Sequence, residues 1–136
     1  MKSEMLNVKK GGAAFRPLHY DLELWKESMR LAVDVLQMTA NFPSDERFGL
    51  SSQLRRSAVS VPSNVAEGAA RGSRAELHRF LLIARGSLAE LDTQLWLVRE
   101  VGLASDIGAL QERIHKVYAL LSGLMKAPAS ATRTKR

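Results

Sequence analysis

Two sets of residues in this 136-residue chain have types and spacings that could do chemistry. Glu112 and His115 stand as Glu-x-x-His, the motif with which some four-helix bundles hold paired metal ions between facing helices. Such a site needs the motif twice and two further inward-facing Glu. The chain has it once, and Glu112 lies off the Leu110/Ile114/Val117 seam, so ligand geometry argues against a metal and no cofactor is expected. His19, His78 and His115 are far apart in sequence, and there is no Cys, which removes thiolate ligands, disulfides and cysteine nucleophiles. With no strand for a phosphate-cradling Gly-rich loop to follow, the expectation is a non-enzymatic protein.

The second set is cationic. Arg55, Arg71, Arg74, Arg79 and Arg85 gather around the end of the second helical segment and the start of the third, and Lys126, Arg133, Lys135 and Arg136 close the chain. Basic side chains without an aromatic stacking platform suit contact with RNA or DNA phosphates and not base reading. An oligomer would multiply that contact. The same cluster also reads as a solvated face that balances an acidic neighbour.

The net charge of +6 is unevenly distributed: residues 1–19 carry +3, residues 126–136 carry +4, and the body between them carries −1. Within the body, residues 20–46 sum to −4, residues 47–85 to +5 and residues 86–125 to −2. Such polarity can steer a polyanion, and it equally suits association between unlike faces of two copies. The longest apolar runs, Phe80 to Ala84 and Val117 to Leu121, are five residues, far short of the roughly 18 to 20 that span a bilayer. No membrane contact is expected. The N-terminal stretch lacks the apolar core of a secretory signal, so a cytoplasmic address is the default expectation.

Four segments between the basic tails carry helical periodicity, and none alternates in the manner of a strand. The first starts near Asp21 as N-cap, with a seam of Leu22, Trp25, Met29, Ala32, Leu36 and Ala40, and stops at Pro43. The second has a seam of Leu50, Leu54, Ala58, Val61 and Val65 and should bend at Pro62. The third opens on the capping box Ser73-Arg-Ala-Glu76 and repeats Leu77, Leu81, Ala84, Leu88, Leu91, Leu95 and Val98 before Gly102. The fourth, from near Ser105, carries Ile107, Leu110, Ile114, Val117, Leu121 and Leu124. The expected fold is all-α: one domain over residues 20–125, an up-down-up-down four-helix bundle between flexible basic tails at 1–19 and 126–136.

The second segment is unusually small and polar. Arg56, Ser60, Ser63 and Glu67 form a stripe beside its apolar seam, and a stripe so placed is expected to be half-buried. Arg56 and Glu67 are eleven residues apart, about 16 Å along a helix, too far to pair with each other. Their partners are expected among Arg85, Glu90 and Asp92 of the third segment or in another subunit. Phe80, Ile83 and Leu97 widen the apolar arc of the third segment, which argues for contact between copies. Gln53, Arg56, Ser60, Asn64, Glu67, Phe80, Ile83, Ser87 and Glu90 are therefore the expected buried polar or subunit-interface residues.

The run from Phe42 to Arg71, FPSDERFGLSSQLRRSAVSVPSNVAEGAAR, followed by Phe80 to Leu91, FLLIARGSLAEL, closely resembles the four-helix-bundle family encoded by intervening sequences of bacterial 23S ribosomal RNA genes. The likeness covers about Tyr20 to Met125 and leaves out the tails. It implies a ring-like homopentamer of four-helix bundles. It also implies kinship with the accessory variability protein of diversity-generating retroelements, which binds reverse transcriptase and nucleic acid. A scaffold or accessory subunit for such a protein partner is the alternative to direct RNA or DNA binding.

Overall fold

The computed structural model describes residues 17–44, 46 and 49–127. A single 3₁₀ turn, Leu18–Asp21, leads into α1 (Glu23–Thr39), α2 (Leu50–Ala70), α3 (Arg74–Glu100) and α4 (Gly108–Lys126), with no strand among the described residues. Each helix packs on the next and α4 packs on α1, so the four close around one core. Most of the expected basic tails lies outside the described residues. Of their inner ends, Leu18 and His19 belong to the 3₁₀ turn and Lys126 closes α4, where a cation meets the negative end of the helix dipole.

The seams expected for α2 and α3 are the buried ones: Leu54, Ala58, Val61 and Val65 face Ala84, Leu88, Leu91 and Leu95, all at zero exposure. α2 runs unbroken through Pro62, which is itself buried. At the start of α3, Ser73 Oγ accepts the Glu76 N–H at 3.1 Å, as half of a capping box would. The Glu76 carboxylate is taken by Arg79. α3 ends in a Schellman motif: Leu103 N–H reaches Val98 O at 3.0 Å and Gly102 N–H reaches Arg99 O at 3.1 Å. This geometry requires the left-handed φ of +84° that Gly102 adopts. α4 begins at Gly108, later than the expected Ser105, and Asp106 Oδ1 accepts the Gly108 N–H at 3.2 Å.

The face of α1 differs from expectation. Leu22 precedes the helix without a side-chain cap, and the buried line is Leu24, Ser28, Leu31 and Val35. The expected line lies one residue on, about 100° around the helix. Of the expected line, Ala32 is buried, Leu22, Trp25 and Met29 are half-buried, and Leu36 and Ala40 are exposed. The reason is polar. Ser28 Oγ donates to Leu24 O at 2.7 Å, which hides its hydroxyl. Glu27, a charged residue on that side, is only 4% exposed because cations from α1 and α4 surround it.

Candidate functional site

α2 and α3 approach tightly at Gly68, where a Cβ would stand 2.8 Å from Phe80 Cβ. From that contact a polar seam runs between the helices. Ser60 Oγ meets Ser87 Oγ at 2.8 Å, and Asn64 Nδ2 donates to Ser60 O and Oγ at 2.8 and 3.0 Å. Ser57 Oγ donates to the buried Gln94 Oε1 at 3.0 Å. Rising numbers on α2 meet falling numbers on α3. Every hydroxyl in this seam has a partner, so the small residues of α2 admit α3 without stranding polar atoms. Shifting the register would leave several of them unpaired.

The outer flank of that seam is wetter than the sequence suggests. Gln53, Arg56, Glu67, Ile83 and Glu90 are exposed, Ser60 and Asn64 are half-buried, and Phe80 and Ser87 are buried. Glu67 does not reach across to α3's Arg85; its carboxylate pairs with Arg71, one turn on along its own helix, at 2.8 Å. Ile83 is 42% and Leu97 46% exposed, so of the three residues expected to widen the buried arc only Phe80 is covered within the subunit.

The arginines do not form one cluster. Arg55 lies sixteen residues before Arg71 on α2, about 24 Å along the axis. Its Nε donates to Thr39 Oγ1 at 3.0 Å, tying α2 to the end of α1. Arg71 and Arg79 sit at the α2–α3 corner, with guanidinium carbons 4.9 and 4.6 Å from the Phe80 ring centroid. Glu67 and Glu76 hold them there, Glu76 meeting Arg79 at 3.1 Å and Arg71 at 3.9 Å. The hydrogen bond from Arg79 holds the Glu76 carboxyl below its ordinary value, with the charges of Arg79 and Arg71 adding to it. Two cations against two carboxylates make this corner nearly neutral.

The α3–α4 edge is different. Arg74 and His78 line a small crevice with Leu77, Leu81, Leu124 and Met125, which places the start of α3 beside the end of α4. Lys126 follows Met125, and the chain continues from there toward Arg133, Lys135 and Arg136, which lie outside the described residues. Farther along, Arg85 makes no ion pair among the described residues. Its charge acts on Tyr118 of α4, whose phenol is pushed above its ordinary value by burial and by Asp92 and drawn back by Arg85.

Glu112 and His115 are both exposed. No group of three metal-binding side chains occurs among the described residues, and no helix among them is long and apolar enough to cross a membrane.

Two features escaped the sequence reading. One is the Glu27 network, in which Arg113 joins Glu27 and Asp34 at 3.1 and 3.0 Å while Arg30 and Lys116 reach Glu27 at 2.7 and 3.4 Å. The spacing Glu27, Arg30, Asp34 places all three on one face of α1 and was the available signal. The other is Trp96, which is 44% exposed with the Arg99 guanidinium 5.6 Å from its ring.

A solved structure of a protein of unknown function from the S23 ribosomal protein family of Bacteroides thetaiotaomicron shares the fold, with a TM-score of 0.68 and 22% identity, over 76% of this chain and 99% of that one. No curated protein matches the sequence. The family model described as 23S rRNA-intervening sequence protein matches residues 20–123, a span that takes in α1, α2, α3 and nearly all of α4, and the chain belongs to that family.

Proposed function

We infer that the protein is a non-enzymatic, cytoplasmic, up-down-up-down bundle that assembles as a homopentamer and binds the backbone of RNA or DNA weakly, without reading sequence. One observation carries the nucleic-acid reading. Basic residues remote in sequence come together where the start of α3 meets the end of α4: Arg74 lines the crevice with Met125, and Lys126 follows Met125 at the end of α4. The pairs at the α2–α3 corner direct the binding away from Arg71 and Arg79, whose charge Glu67 and Glu76 already offset. The pentamer rests on the family resemblance, and the exposed Ile83 and Leu97 on α3, with Val101 just past its end, give it a surface.

Counterion release makes the nucleic-acid reading testable. Three phosphate contacts from Arg74, Arg85 and Lys126 give a slope of log affinity against log salt of about −2 on a single strand, so raising salt from about 50 to 200 mM weakens binding about 20-fold. Replacing Arg74, Arg85 and Lys126 together by Gln flattens the slope, while replacing Arg71 and Arg79 leaves it nearly unchanged. Affinity indifferent to salt would exclude the phosphate mechanism and favour a protein partner such as a reverse transcriptase, docked on apolar surface.

Self-association is checked by sedimentation. The wild type is expected to sediment as an oligomer at micromolar concentration, and Leu97→Glu to move it toward monomer. A wild-type monomer would leave the exposed α3 residues for a partner of different sequence.

A further inference from the structure

The exposed surface of α3 has two flanks of different chemistry. Contacts of Phe80, Ser87 and Gln94 with α2 mark one side of the helix. The crevice at Leu77 and Leu81, and the influence of Arg85 and Asp92 on Tyr118, mark the side toward α4. Eleven residues make three turns and leave an offset of only about 20°, so Arg74, Arg85 and Trp96 lie on one line along the α4 side. His78, Asp92 and Arg99 fall within about 40° of Arg85 on the same projection. Ile83, Glu90, Leu97 and Val101 lie about 120° or more away, on the α2 side. Trp96 thus lies about 100° from Leu97, with the exposed Leu82 between the two rows at about 60° from Arg85.

We propose that this line, Arg74, His78, Arg85, Trp96 and Arg99, is a binding track for single-stranded nucleic acid, with a base stacked on the Trp96 indole and phosphates held by the arginines on either side of it. The inference rests on the nucleic-acid reading above and adds to it an aromatic platform that the sequence alone did not reveal. Trp96 leaves 44% of its surface in water and Arg99 lies over its ring at 5.6 Å. An exposed indole with a guanidinium beside it offers a π-face to any base and a cation to the adjoining phosphate. From Arg74 to Arg99 the track is about 38 Å long, enough for several nucleotides. A duplex keeps its rings stacked inside and presents only base edges in its grooves, so the indole favours a single strand. Asp92 lies on the same line between Arg85 and Trp96 and opposes a phosphate there, and Glu100 adjoins Arg99. These carboxylates keep the affinity low.

The chain has two tryptophans, so the full-length Trp25→Phe variant reports on Trp96 alone. Titration with an unstructured oligo(dT) is expected to quench its fluorescence, and a duplex of equal length to leave it nearly unchanged. Trp96→Leu is expected to weaken oligo(dT) binding about tenfold, the loss of one stacked base, while duplex binding and the far-ultraviolet circular dichroism stay constant. Asp92→Asn is expected to tighten oligo(dT) binding several-fold. If Trp96→Leu leaves oligo(dT) affinity unchanged while the wild type still binds in a salt-dependent manner, the track is wrong and the broader nucleic-acid reading survives. If the wild type binds neither probe, both fall. Trp96 emission that changes on dilution without nucleic acid, together with an altered sedimentation coefficient for Trp96→Leu, would assign the indole to a subunit contact and overturn the track.

Discussion

Arg113→Ala is expected to lower the unfolding free energy by about 3 kcal/mol, measured by urea denaturation, the low end of the range for breaking a buried ion pair. The loss comes from the carboxylate left behind. Glu27 has a side chain only 5% exposed, and Arg113 reaches it at 3.1 Å while its Nε holds Asp34 at 3.0 Å. One guanidinium therefore joins two turns of α1 to α4. Removing it leaves Glu27 with Arg30 and with Lys116, whose side chain is 59% exposed, and the remaining charges compensate a desolvated anion less well. The cations themselves are not deeply buried, since Arg113 is 32% exposed. They can turn to water through their flexible stems, which sets the estimate at the low end. Replacing both partners, Glu27→Leu with Arg113→Leu, is expected to recover most of the lost stability, because the buried carboxylate goes with the guanidinium, and the charges that lose a partner, Asp34, Arg30 and Lys116, are 25%, 33% and 59% exposed and can turn to water. A loss under about 1 kcal/mol for Arg113→Ala would place the network among surface pairs of small effect.

Gly68→Ala is expected to destabilise by about 1 to 3 kcal/mol, the cost of overpacking, although alanine is intrinsically the better helix former by about 1 kcal/mol. The new Cβ would lie 2.8 Å from Phe80 Cβ, 3.3 Å from Leu77 Cδ1 and 3.4 Å from the Leu77 Cα. Phe80 has little room to yield: its Cβ is fixed by the α3 backbone, and its ring lies beneath the guanidinium groups of Arg71 and Arg79. Relief requires α2 and α3 to separate at this contact, which stretches the hydrogen bonds of the serine seam. Gly86 and Gly123 are the controls. A Cβ at either meets nothing within 4 Å, so Gly86→Ala and Gly123→Ala are expected to stabilise by about 0.5 to 1 kcal/mol. Stabilisation by Gly68→Ala as well would show that the α2–α3 contact yields freely.

The arginines illustrate how a site can be visible in composition and misplaced in space. Seven basic residues against two acidic ones make residues 47–85 the most positive stretch of the body, yet the two acids, Glu67 and Glu76, stand where they offset Arg71 and Arg79. Both pairings are a helical turn apart, so the sequence held the information, and the i to i+3 and i to i+4 rule could have found them. Nothing local could have paired Arg55 with Thr39, or set Arg74 beside Met125.

The seams of α2 and α3, the serine cap at Ser73 and the glycine stop at Gly102 were legible in the chain by itself, and so was the family. Helical periodicity and capping depend on neighbours three to six positions away, which any linear reading can inspect. Only tertiary structure decided which face of α1 turns inward, because Glu27 can be buried only if Arg113 and Lys116 of α4 arrive to compensate it. It likewise decided that Glu67 stays outside while Ser60 is half-covered, and that the line on which spacing sets Trp96 with Arg74 and Arg85 borders α4. Charge and polarity count against burial in a sequence, whereas in a fold what matters is the desolvation of a group against the partners that meet it, and those partners are brought together by packing alone.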